Sequence, residues 1–143
     1  YAQYWRIEIN DTGNSVGYFE CGRLFIGDGW SPAFNFAWGS SIEYVDESIA
    51  EKTWSGAEYY DVRARRRIAN LKFEDLTDSD ALLRLLDMQR QIGTCGEILF
   101  AWDYADAAYF MRRSFLCRAE QLDAIAAARV DSNSTNLRLK ELL

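Results

Sequence analysis

The sequence predicts a mostly β domain with one main α-helix, arranged as a β-sandwich with the helix on its flank. Three observations predict it. Short runs with period-2 alternation recur along the chain, separated by turn residues. One segment, residues 77–92, carries apolar residues at helical spacing between a good N-cap and a glycine stop. The length of 143 residues suits one domain, and the 49% of apolar residues can supply its core.

Residues 4–9 alternate, with Trp5, Ile7 and Ile9 on one face, and residues 10–14 are dense in turn formers. Residues 17–26 read as the return strand, so residues 1–29 are expected to form an N-terminal β-hairpin and residues 30–143 the sandwich. Phe34, Phe36 and Trp38 alternate with Asn35 and Ala37. Gly39-Ser40-Ser41 interrupts that pattern, and residues 42–45 resume it.

Residues 60–73 form a long basic strand. Arg63, Arg65 and Arg67 occupy odd positions at its start, whereas Leu71 and Phe73 occupy odd positions at its end. A period-2 strand exchanges faces only through an extra residue, so a bulge is expected near residues 66–69. The helix follows: Thr77 caps it, Asp80 stands three residues on as in a capping box, and Gly93 stops it. Residues 97–102 and 108–118 read as strands. Residues 122–129 are Ala-rich and fit helix or strand. Residues 131–134 read as a loop and residues 137–140 as a last strand.

Composition narrows the function. Histidine is absent, which removes the commonest general base and metal ligand. Cys21, Cys95 and Cys117 are three, without CxxC spacing, and read as small buried or half-buried thiols in a reducing compartment, not as a zinc site or disulfide scaffold. The paired acids, such as Glu43 with Asp46 and Glu47, read as solvated charge. Ser40, Ser41 and Ser114 have no histidine to activate them. No cofactor and no enzymatic activity are expected. A formal charge of −6 argues against specific nucleic-acid binding, and no apolar stretch is long enough to span a bilayer. Because Tyr1 is not a methionine, the chain is expected to be a fragment or to have lost its own start.

The cations are 13 Arg and 3 Lys. Arginine's planar fork suits carboxylates in partly dry interfaces. Residues 1–61 hold ten acids and three bases, whereas residues 62–72 hold five bases and no acid. Two arrangements suit this strip: a solvated strand face whose arginines pair locally with acidic neighbours, or a contact with the acidic front of another copy, and head-to-tail contacts of that kind close into rings. The aromatic share of 15% leaves rings for a contact surface as well as for the core. Candidate subunit-interface residues are Arg63, Arg65, Arg67, Trp38, Trp54 and Tyr59. Trp30, Trp38 and Trp54 are candidates for stacking on a sugar.

Two stretches resemble known families. Tyr4-Trp5-Arg6-Ile7-Glu8-Ile9 and residues 17–27 resemble the closing strands of galactose-binding-like (discoidin-type) jelly rolls, which implies that residues 1–29 end a preceding module. Residues 34–120 resemble phage and prophage tail proteins of the distal-tail or tail-tube kind. That resemblance rests on Asn35-Phe36-Ala37-Trp38-Gly39, on Asp61-x-Arg63-x-Arg65-x-Arg67, on Arg90-x-x-Gly93-Thr94 and on Arg112-Arg113-Ser114-Phe115-Leu116. It implies a non-enzymatic structural component of the virion tail that assembles into a ring with itself and other tail proteins. The jelly-roll likeness implies the alternative, a carbohydrate- or receptor-binding module.

Overall fold

The computed structural model describes residues 4–143. The fold is mostly β with one main helix. Its elements are β1 (Ser41–Val45), β2 (Ile49–Lys52), β3 (Glu58–Asp61), β4 (Arg66–Leu76), a helix spanning 79–92, β5 (Ile98–Ala101), a short helix α2 (Phe110–Arg113), β6 (Ser114–Ala119), β7 (Ala126–Arg129) and β8 (Ser132–Glu141). Six strands make one antiparallel sheet in the order β1-β4-β8-β6-β5, with β7 also pairing to β8. Strands β2 and β3 form a separate two-stranded ribbon. All eight of its residues are exposed, so among the described residues the sheet has no packed second layer of strands.

Strands β4 and β8 are the two longest and lie side by side at the centre. Ala69 faces Leu139, Leu71 faces Leu137 and Phe73 faces Thr135. Those side chains point to one face of the sheet because strand side chains alternate. The helix covers that face with Ala81 and Leu85, while Phe100, Phe115 and Cys117 extend the core along β5 and β6. Phe36, Trp102, Phe100 and Phe115 join in successive edge-on contacts, the closest having ring centroids 4.3 Å apart. Each fully buried leucine of this core contributes on the order of 1.5–3 kcal/mol of transfer free energy.

The helix begins as expected. The Thr77 hydroxyl accepts the Asp80 N–H at 3.2 Å and donates to the Asp80 carboxylate at 2.9 Å. Its first half, Ser79–Leu85, is a π-helix, with Leu86 N–H bonded to Ala81 O. Its second half, Leu86–Ile92, is α-helical and is labelled α1. Gly93 ends it at φ 58°, a conformation that glycine adopts without steric cost.

Several expectations are corrected. Residues 4–40 contain no strand, so the hairpin expected within 1–29 does not form, and residues 1–3 of it lie outside the described residues. The turn at 11–14 does form, with Asn14 N–H on Asp11 O at 3.2 Å. Its flanks stay apart because two strands with no packed face are marginal in water, and Trp5, Ile7 and Ile9 are all exposed.

The strand expected from Phe34 to Trp38 is likewise absent, and pairing starts at Ser41. The basic strand is two strands. Residues 62–65 break the ladder, and pairing through 66–70 is regular. The bulge falls later, between Phe73 and Leu76 against β8, and it brings Leu76 onto the core face. Residues 108–113 are turn and helix, not strand. Asp106 accepts the Tyr109 N–H, and Tyr109 O accepts the N–H groups of Arg112 and Arg113. The loop expected at 131–134 is a tight hairpin whose strand β8 already starts at Ser132, with Asp131 at φ 60°. The Ala-rich segment forms the strand β7.

Candidate functional site

The basic run lies where the ribbon joins the sheet. Antiparallel pairing of β1 with β4 sets Val45 opposite Arg66, which brings Asp46 and Glu47 beside the arginines that precede and open β4. Arg65 Nε donates to Asp46 Oδ2 at 2.9 Å, and Arg66 lies 3.5 Å from Glu47. Lys140 of β8 also bonds Glu47. Arg63 folds back on Asp61 at 3.1 Å through Nε and Nη2, and its backbone N–H donates to Ser48 Oγ at 2.9 Å.

These contacts shape the local titration. Hydrogen bonds from the side chain and backbone of Ser48, then the one from Arg65, hold the Asp46 carboxyl at about 2. The hydrogen bond from Lys140 leads the causes that keep Glu47 below the usual carboxylate range.

Arg67 has a different place. Its side chain is only 17% exposed. It donates from Nε to Glu141 Oε1 at 2.9 Å and from its backbone N–H to Glu141 Oε2 at 2.8 Å, and Nη2 also reaches Oε1. Its Nη1 donates to the carbonyls of Met111 and Arg112, which anchors α2. The guanidinium stacks 4.6 Å from the centre of the Phe115 ring. Arg67 is a strut of the fold, with most of its side chain spent on partners within the chain. Arg63 and Arg65 have partners within the chain as well, though both side chains remain more than half exposed.

The aromatic candidates separate. Trp30 turns inward: its Nε1 donates to Asp80 at 3.0 Å and its ring lies 6.1 Å from that of Phe73. The three-tryptophan platform is therefore not assembled. Trp38 is fully exposed in the turn that leads to β1. Trp54 is fully exposed at the ribbon tip, with Tyr59 and Tyr60 exposed on β3 below it. The ribbon turn is well built. Thr53 N–H bonds Ala57 O at 2.9 Å, Gly56 N–H bonds Thr53 O at 2.9 Å, and Gly56 takes φ 84°.

A cleft of about 480 Å³ lies between the start of β1 and α2. Ser40, Ser41, Ile42, Trp102, Arg112 and Arg113 line it. Arg113 pairs with Asp106 at 3.6 Å, whereas Arg112 has no ion-pair partner among the described residues. Sequence reading missed this cleft because its parts come from three separate segments. The pair Arg112-Arg113 beside an Asp-rich turn was the only signal.

The thiols differ from expectation. Cys117 is buried and its pKa is pushed up to about 12 by burial, but Cys21 and Cys95 are exposed. No group of His, Cys, Asp and Glu suited to a metal ion occurs among the described residues, and no described helix is long and apolar enough to cross a membrane. Comparison with protein-family models, curated proteins and solved structures gives no match.

Proposed function

We propose that this chain is a non-enzymatic structural subunit that works by associating with copies of itself, as a distal-tail component of a phage tail does. One observation carries the reading. The chain exposes 11313 Å², whereas a compact monomer of 16.5 kDa exposes roughly 7,500 Å². The excess of roughly 3,800 Å² is larger than the ~1,600 Å² that a ring member buries against two neighbours through interfaces of ~800 Å² each. Much of it comes from the arm at 4–40 and from the aromatic ribbon, the parts that a neighbour would cover.

Trp38, Trp54 and Tyr59 fit the contact role, since rigid aromatic side chains dominate interface energetics. Arg63 and Arg65 border the contact and Arg67 supports it from within. A neighbour laid over the open face of the sheet would supply the second layer of a β-sandwich. The resemblance of residues 34–120 to tail proteins supports a place in the virion tail beside other tail proteins.

Light scattering tests the reading. The expected mass is an integral multiple of 16.5 kDa, with closed rings in electron micrographs. A monomer at all concentrations overturns it. The carbohydrate-binding alternative retains two exposed rings, Trp38 and Trp54. It predicts saturable quenching of tryptophan fluorescence by a glycan.

A further inference from the structure

We infer that the tip of the β2–β3 ribbon of one copy inserts into the Arg112 cleft of the next, with Trp54 as the knob and Glu51 as the partner of Arg112. The inference rests on the self-association reading and names the surfaces that meet.

The ribbon is built to present its tip. Four cross-strand pairs run from Ile49 with Asp61 to Lys52 with Glu58, and the turn is closed by two backbone hydrogen bonds. The Thr53 hydroxyl adds contacts to Ser55 Oγ at 2.9 Å and to Ala57 O at 3.2 Å. The Trp54 indole is fully exposed on an ordered turn, and tryptophan leads the residue types that become interface hot spots.

The ribbon charges are paired except for one. Lys52 bonds Glu58, which also accepts from the Tyr60 hydroxyl, and Asp61 holds Arg63. Glu51, directly across the ladder from Tyr59, has no partner among the described residues. The ribbon tip therefore offers one indole and one uncompensated carboxylate.

The cleft offers the complement. It is an open depression of about 480 Å³, against whose wall a flat indole can lie. Trp102 provides an aromatic wall, and the hydroxyl residues Ser40 and Ser41 flank the opening. Asp106 engages Arg113, so of the two arginines that line the cleft Arg112 is the one without an ion-pair partner among the described residues. A carboxylate and a guanidinium that pair only on association gain a charge-assisted hydrogen bond and set the register of the contact. Each copy carries both ribbon and cleft, so the contact repeats from subunit to subunit and closes where the rotation allows.

The test is a charge exchange followed by light scattering over a concentration series. Trp54→Ala, Glu51→Arg and Arg112→Glu change exposed side chains, and unchanged thermal melts will show that each variant folds. Each single variant is expected to weaken association at least tenfold. The double variant Glu51→Arg with Arg112→Glu is expected to recover most of the loss, which general destabilisation would not do.

If the wild-type chain associates and all three single variants associate equally well, the inference is overturned and the self-association reading stands. A double variant no better than its singles also overturns the pairing. If the wild-type chain is monomeric throughout, or uses Trp54 to bind a glycan while remaining monomeric, the inference is overturned together with the reading beneath it.

Discussion

Arg67 and Glu141 join the two longest strands of the sheet from positions 74 residues apart, through both the side chain and the backbone N–H of Arg67. Only 17% and 11% of the two side chains is exposed. A carboxylate this withdrawn from water must be compensated. Burial raises the Glu141 pKa, but the hydrogen bonds from the Arg67 side chain and backbone, with its charge, more than offset that and hold the group below the usual range.

Removing the cation leaves an uncompensated charge between β4, β6 and β8. Arg67→Ala is expected to cost about 3–5 kcal/mol, the range for breaking one side of a buried pair. Arg67→Leu paired with Glu141→Leu is expected to recover most of it, since apolar residues of similar volume often replace such pairs without loss. Urea denaturation measures both. Arg63→Ala, whose pair with Asp61 is exposed, is expected to change stability by less than ~1 kcal/mol.

Acid should weaken the fold in a defined window. Asp46, Glu47, Glu58, Asp80 and Glu141 all have folded pKa values below their ordinary ones. A depressed carboxyl contributes stability that is full above its unfolded pKa and is lost as pH falls through its folded pKa. For Asp46 that loss runs from 3.8 down to about 2. With no histidine in the chain, stability is expected to be nearly level between about pH 5.5 and 7. NMR titration is expected to place Asp46 near 2. Ser48→Ala and Arg65→Ala are each expected to raise that value toward 3.8.

The thiols offer a direct check on the packing of β6. Cys117 is enclosed by the core and donates to Ile98 O at 3.2 Å, while Cys21 and Cys95 are exposed. Two of the three thiols are expected to react promptly with a thiol reagent at pH 8, and the third only on unfolding. The raised Cys117 pKa keeps its stabilising contribution complete below 9, with loss only as pH climbs toward about 12. Prompt reaction of all three would mean that the core packed over β6 opens.

Where a strand was legible, one face of it met the core. Leu71, Phe73, Leu137 and Leu139 alternate because each strand has a buried face, and Thr77 with Gly93 bounded the helix through their own backbone chemistry. Trp5, Ile7 and Ile9 alternate just as well, yet all three stay exposed, so the pattern alone produced no strand. Arg63, Arg65 and Arg67 look alike in sequence. Only Arg67 lies within the ladder beside Glu141, and a separation of 74 residues hides that partner from local reading. The carboxylates beside Arg65 and Arg66 were nearer to hand, because a strand ending at Val45 that pairs antiparallel with one starting at Arg66 must set Asp46 and Glu47 next to the basic run.

The start of the helix is the joint between the long N-terminal segment and the sheet. Asp80 accepts the Trp30 Nε1–H at 3.0 Å, the Ala33 N–H at 3.1 Å and the Thr77 hydroxyl at 2.9 Å. One carboxylate thus holds both the helix cap and the chain that crosses the core on its way to β1. Asp80→Ala would strip three donors of their acceptor, one of them on a half-buried indole. The expected cost is about 2 kcal/mol, as for a hydrogen-bonded charged group, and Asp80→Asn is expected to lose about half of that by keeping one carbonyl acceptor. The Trp30 bond is the leading cause of the low Asp80 pKa, ahead of Arg84. Trp30→Phe should therefore raise that pKa toward its ordinary value more than Arg84→Ala does, as read by NMR. The opposite order would mean that surface charge, not the indole, sets the carboxylate, and that residues 30–33 are held to the helix by something other than Asp80.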